Sequence, residues 1–163
     1  MTSFNRRKFL KAGFLSSAIF ITSGCNIISI TTPIETLKVM QNDLFPKAKQ
    51  MGIDTSSYLH IVFHHPKITK EDKKNLKNGI KWLNEASQKA HKLNYTQLAP
   101  HMRQNILKHI SKTRWGDIFI YNVMSYMFES MLGDPIYGGN KNEIAWKWLE
   151  FEGGEPRPKE VYI

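Results

Sequence analysis

Residues 115–132, WGDIFIYNVMSYMFESML, decide the fold class. Wound into a helix, they place Trp115, Ile118, Phe119, Tyr121, Val123, Tyr126, Met127, Phe128, Met131 and Leu132 on nearly every side. A helix that is apolar all round is either enclosed by other helices or immersed in lipid. Asp117, Asn122 and Glu129 argue against lipid, because charge inside a bilayer is costly. The segment therefore reads as a central helix that its neighbours must wrap.

Those neighbours are legible upstream. Leu98-Ala99-Pro100 introduces a helix with Met102, Ile106, Leu107 and Ile110 as its buried stripe, although Ala99 stands where a capping serine is expected. Before it, Thr69 to Asp72 is a capping signature, opening a longer helix with Leu76, Ile80, Leu83, Ala86, Ala90 and Leu93 on one face. Its other face is mostly lysine, which reads as a solvated surface, with lipid or an acidic partner as the alternatives. Residues 50–66 are irregular, with Gly52 and the cluster Tyr58 to Phe63, and predict a loop and one short helix. Thr32-Pro33-Ile34-Glu35 is a sharp helix start, followed by Ile34, Leu37, Met40 and Leu44 at helical spacing, and Pro46 ends or kinks that helix.

Downstream, Gly133 closes the apolar helix and Asp134-Pro135-Ile136-Tyr137-Gly138-Gly139-Asn140 follows. Asp-Pro favours a turn, the paired glycines permit positive φ, and Asn140 with Glu143 is placed to cap a last helix running to about Leu149. That helix carries Ile144, Trp146, Trp148 and Leu149; from Gly153 onward, with Pro156 and Pro158, the chain reads as an extended tail. There is no internal repeat and no low-complexity tract. The expected architecture is all-α: a single compact helical domain over 32–152, with an extended C-terminal arm over 153–163.

The N-terminus reads differently. Asn5-Arg6-Arg7-Lys8-Phe9-Leu10-Lys11 is basic, Ala12 to Ile21 is apolar, and Thr22-Ser23-Gly24-Cys25 is small. That is the three-part layout of an export signal over 1–25, with an apolar run about half the roughly 20 residues a spanning helix needs. Arg6, Arg7, Phe9, Leu10 and Lys11 resemble the twin-arginine consensus, with Asn5 where Ser or Thr usually stands. ITSGC resembles a lipobox, making Cys25 the expected cleavage and lipidation point and 26–31 a tether. Without Arg6, Arg7, Lys8 and Lys11 the formal charge of +9 falls to about +5. Such a balance suits anionic lipid, an acidic partner or nucleic acid and selects none of them. Cys25 is the sole cysteine, which excludes an internal disulfide, a thiolate cluster and a thioether haem attachment. Two or three acyl chains, at about 0.8 kcal/mol per buried methylene, would anchor the protein stably.

Motifs that hold cofactors are missing: no G-x-G-x-x-G, no G-x-x-x-x-G-K-S/T, no C-x-x-C-H and no H-E-x-x-H occurs. His60 and His64 share a helical face at a spacing metals favour, with His65 beside them, but no carboxylate or cysteine completes a ligand set. His101 and His109 flank a helix stripe, and Glu150 and Glu152 adjoin the tail, where the water exclusion that tunes a catalytic pKa is not expected. No catalytic, cofactor-binding or metal-binding residue is assigned. Nucleic-acid binding is disfavoured, since Lys67 to Lys92 interleaves only Trp82 among its lysines.

Residues 132–151, LGDPIYGGNKNEIAWKWLEF, resemble the C-terminal signature of the gluconate 2-dehydrogenase subunit 3 family. Its parts here are Asp134, Pro135, Tyr137, Gly138, Gly139, Asn140 and Trp146; Leu44-Phe45-Pro46 and Leu98-Ala99-Pro100 resemble the family's Leu-Ile-Pro and Leu-Ser-Pro. The resemblance implies a non-catalytic small subunit of a membrane-associated, flavin-dependent sugar or sugar-acid dehydrogenase. It implies FAD in a large flavoprotein partner of the glucose-methanol-choline type, often a cytochrome c subunit with haem c, and no cofactor in this chain. With the signal, it implies passage through the twin-arginine translocase and a periplasmic, membrane-anchored location through lipidated Cys25. The turn then has two readings: a capped helix junction, or a dock for the flavoprotein through Asp134, Pro135, Tyr137, Gly138, Gly139, Asn140, Trp146 and Trp148. Two further functions compete: a stand-alone periplasmic lipoprotein with a structural or ligand-binding role, and a catalytic subunit using His60 and His64.

Overall fold

The computed structural model describes residues 32–161, and all regular structure among them is helical. In chain order these are α1 (Pro33–Leu44), α2 (Pro46–Gln50), α3 (Ser56–His64), α4 (Lys70–His91), a 3-10 turn (Tyr95–Gln97), α5 (Pro100–Ile110) and α6 (Arg114–Leu132). Two more 3-10 turns, Pro135–Tyr137 and Lys141–Glu143, lead into α7 (Ile144–Trp148). The fold is all-α.

Local chemistry sets the boundaries. Thr32 Oγ1 accepts the Glu35 N–H at 3.2 Å and Thr69 Oγ1 accepts the Asp72 N–H at 3.0 Å, so both sequence-read caps form. Thr113 does the same for α6, accepting the Gly116 N–H at 3.1 Å. Ala99 gives α5 no side-chain cap, and Pro100 starts that helix by its fixed φ. Pro46 separates α1 from α2 instead of kinking one helix. The α4 stripe ends earlier than its spacing predicts: Lys92 takes a left-handed conformation at φ 61°, so Leu93 falls beyond the helix and is exposed, as is Ala90.

One core joins Leu37 and Met40 of α1, Leu59 and Val62 of α3, and Leu76, Ile80 and Leu83 of α4 to Ile106, Leu107 and Ile110 of α5 and Phe119 and Val123 of α6. A second, smaller cluster joins Ala48 and Ile53 to Met127, Met131 and Ala145. Each fully buried aliphatic or aromatic side chain contributes about 1.5–3 kcal/mol, so these residues outweigh the caps in holding the fold. Residues 32–161 form one compact unit, and both clusters lie within it; a polypeptide starting at Thr32 carries the whole of this core.

As expected, α6 touches α1, α3, α4, α5 and α7. Its enclosure on all sides is corrected, however. Phe119, Val123, Met127 and Met131, four apart, form its buried stripe, while Ile118 is 51 % and Tyr121 72 % exposed. Gly79 brings α4 close to that stripe; a Cβ there would lie 2.2 Å from the Phe119 ring.

Polar links between distant segments complete the bundle. The Arg103 guanidinium meets both oxygens of Asp43, at 2.6 and 2.9 Å, and the Tyr95 hydroxyl donates to the same carboxylate at 2.8 Å. Buried Gln41 donates to the Val123 carbonyl at 3.3 Å and accepts from Thr55 Oγ1.

Candidate partner interface at the helix junction

The last turn of any helix leaves carbonyls without intrahelical partners. At the end of α6 two side chains from the segment that follows supply donors. Asn140, fully buried, donates to the Gly133 carbonyl at 3.3 Å, and its Oδ1 accepts the Ala145 N–H at 2.9 Å. Trp146, also buried, donates its indole N–H to the Leu132 carbonyl at 2.8 Å. One asparagine thus ends one helix and supports the start of the next.

Two glycines make this possible in different ways. Gly138 adopts φ +83°, a left-handed conformation that closes the Pro135–Tyr137 turn. A Cβ on Gly139 would lie 1.9 Å from Ser130 Oγ and 2.4 Å from the Ser130 carbonyl, so only a bare backbone approaches α6 this closely. Asp134 accepts the Ile136 N–H at 3.0 Å through Oδ1, forming the turn its Asp-Pro sequence predicts. Glu143 departs from expectation: it sits at φ 58° and makes an ion pair with Arg157 in place of a helix cap.

The tail is extended but pinned. The Arg157 guanidinium lies 4.5 Å from the centre of the Trp146 ring, pairs with Asp134 Oδ2 at 2.9 Å and with Glu143, and leaves the ring edge to Phe151 at 5.6 Å. Trp146 is therefore held between α6 and the tail, and contributes to the junction as a packed, hydrogen-bonded side chain.

Around the junction lies an apolar surface. Trp148 is 45 % and Phe151 55 % exposed; Ile144 and Leu149 in the same stretch of chain, and Phe128 and Leu132 at the end of α6, are exposed as well. Phe45 joins the surface, with ring centroids 5.5 Å from Phe128 and 6.3 Å from Trp148. Tyr137 lines an adjoining cleft of about 340 Å³ with Tyr58, whose hydroxyl donates to Glu129 at 2.7 Å. Burial, then that hydrogen bond, pushes the Tyr58 hydroxyl well above its ordinary pKa.

A family model described as Gluconate 2-dehydrogenase subunit 3 matches residues 34–154, a span that covers nearly all of α1 and every later helix. The chain belongs to the gluconate 2-dehydrogenase subunit 3 family. No curated protein and no solved structure matches it.

Within this subunit 3 chain, the eight residues read from the sequence as a partner dock occupy one junction but not one surface. Gly139, Asn140 and Trp146 are buried; Asp134, Pro135, Tyr137 and Gly138 are half-buried; Trp148 is exposed. The sequence reading omitted Phe45, Phe128, Phe151 and Arg157. Phe128 was within reach, since it falls off the four-residue stripe of α6, whereas Arg157 acts across 23 residues and has no local signal. Arg6, Arg7, Phe9, Leu10, Lys11 and Cys25, and the tether 26–31, lie outside the described residues. His60 and His64 have ring centroids 6.2 Å apart, with His64 Nδ1 at 2.7 Å from the His60 carbonyl. Among the described residues no group of three His, Cys, Asp or Glu is placed to hold a metal ion.

Proposed function

We propose that this subunit is the non-catalytic small partner of a membrane-associated, flavin-dependent sugar or sugar-acid dehydrogenase. It aids twin-arginine export, assembly and anchoring of the flavoprotein. The observation that carries the reading is the family match, which spans the described helical domain and implies one member of a multi-subunit gluconate dehydrogenase. FAD then belongs to the large subunit and haem c to a cytochrome subunit.

The apolar surface at the junction supports a docking role. Aromatic side chains with an exposed face commonly anchor interfaces, and here Trp148, Phe128 and Phe151 surround a junction fixed by buried hydrogen bonds. In this reading Asn140, Gly139 and Trp146 set the shape of the dock, and Trp148, Tyr137 and the exposed phenylalanines touch the partner. The twin-arginine resemblance of Arg6 and Arg7 supports export as a folded complex, and Cys25 supports a lipid anchor. Such a route suits a partner that must take up flavin before crossing the membrane.

Co-expression with a flavoprotein dehydrogenase encoded beside it tests the reading. A stable complex is expected, with export of the flavoprotein lost on Arg6→Lys/Arg7→Lys. Export of the flavoprotein without this chain would contradict it.

A further inference from the structure

Between Glu85 and Asp117 the chain has no acidic side chain, yet it carries Lys89, Lys92, Arg103, Lys108, Lys112 and Arg114. Arg103 is engaged by Asp43. The other five are exposed. This stretch forms the end of α4, all of α5 and the start of α6, and those elements enclose an open groove of about 900 Å³. Its lining is apolar along Ala86, Ala90, Ile106 and Ile110, and Lys89, His91 and His109 contribute to it together with one acid, Glu85.

Trp82 and Trp115 meet edge to face at 5.4 Å at one side of the groove and also line a neighbouring hollow of about 200 Å³ that reaches Ile118. Trp82 is 41 % exposed, and Ile118 and Tyr121, one turn apart on α6, are more exposed still. Three features therefore coincide: large aromatic side chains half in water, an apolar groove, and a rim on which the cations outnumber Glu85, itself paired with Lys81 at 3.7 Å, and the exposed Asp117. Tryptophan and tyrosine favour the boundary between headgroups and hydrocarbon, and each lysine or arginine near an anionic bilayer adds attraction.

We propose that this face is a docking surface for anionic phospholipid. The groove accepts part of an acyl chain, Trp82, Ile118 and Tyr121 enter the headgroup layer, and Lys89, Lys92 and Arg114 meet lipid phosphates. Lys89 lines the groove, and Lys92 and Arg114 directly follow and precede the lining residues His91 and Trp115. The surface is distinct from the α6–α7 junction and does not depend on Cys25 or on a flavoprotein partner.

The test uses the polypeptide from Thr32 onward, because the basic and apolar N-terminal run would itself bind vesicles. Sedimentation with vesicles of phosphatidylcholine alone, or of phosphatidylcholine with phosphatidylglycerol, gives the partition coefficient, and tryptophan emission reports burial. Binding to the phosphatidylglycerol vesicles only is expected, with a blue shift that Trp82→Phe removes. Lys89→Glu/Lys92→Glu/Arg114→Glu should weaken binding roughly a hundredfold. A control of equal charge change, Lys141→Glu/Lys147→Glu/Lys159→Glu, should retain most of it. No binding, equal binding to both vesicles, or equal loss in the two triple variants would overturn the proposal. So would preferential binding of poly-glutamate over vesicles at this face, which would mark it as a surface for an acidic protein. Failure here leaves the co-expression result untouched, so the two readings fail separately.

Discussion

The guanidinium of Arg157 lies 4.5 Å from the centre of the Trp146 ring while it pairs with Asp134 and Glu143. A residue in the C-terminal tail thereby closes the junction formed by the end of α6 and α7. Arg157→Ala should release the tail and leave the helices in place. Faster hydrogen exchange at Gly153, Gly154 and Glu155, a shift in tryptophan emission and unchanged helicity are expected. Unchanged exchange in the tail would show that Arg157 is not the tie.

Asp43 is the hub of a second tie, receiving Arg103 twice and the Tyr95 hydroxyl once. The Asp43 and Arg103 side chains are only 9 % and 16 % exposed, so removing one partner strands the other away from water. Asp43→Ala should cost about 3–5 kcal/mol in urea unfolding. Arg103→Met, which also removes the buried cation's need for a partner but leaves the carboxylate bound to Tyr95, should cost less than Asp43→Ala.

Gly139 faces the Ser130 backbone too closely for any side chain. Gly139→Ala should lower stability by about 1–3 kcal/mol, because the rigid carbonyl at 2.4 Å forces the junction outward. Gly154→Ala is the control; nothing lies within 4 Å of its added Cβ, and thermal melting should barely change.

Hydrogen bonds from Ser56, then the nearby Lys38 ammonium at 3.3 Å, hold the Asp54 carboxyl at a pKa of about 2. A folded pKa below the unfolded value of about 3.9 means the stabilisation is complete above that value and disappears as pH falls through about 2. Asp54 is 44 % exposed, so solvent screening limits the effect to less than about 1 kcal/mol. The stability difference between the protein and Asp54→Asn should be constant from pH 5 to pH 7, within the range above about 4 where the carboxyl is ionised in both states, and should shrink below it.

Much of the bundle was legible because its signals are local. Thr32 and Thr69 cap through neighbours three residues on, Pro46 and Pro100 mark helix starts, and the DPIYGGN turn announces a junction whose Asn140 caps as its type suggests. What escaped notice acts across distance. Asp43 reaches Arg103 over 60 residues and Gln41 reaches Val123 over 82, and no periodicity encodes such pairs. Composition also hid direction: the apolar residues of α6 exceed what its neighbours cover, leaving Ile118 and Tyr121 outward. At the junction the sequence located the segment and its large side chains but not their depth, since Trp146 and Trp148, two residues apart, point one inward and one outward.

That difference supplies the most direct test of the central claim, that the domain works by gripping a larger flavin-bearing protein. Trp146→Ala should cost about 3–5 kcal/mol of stability and disturb docking indirectly. Trp148→Ala should leave unfolding nearly unchanged and weaken binding by about 2 kcal/mol. The decisive measurement is the affinity of the Trp148→Ala protein for the co-expressed flavoprotein, read beside its melting curve and the flavin absorbance of each separated chain. Weakened binding with an intact fold, and flavin on the large subunit alone, is the expected result. Flavin retained by this chain in isolation, with turnover of a sugar acid, would contradict it.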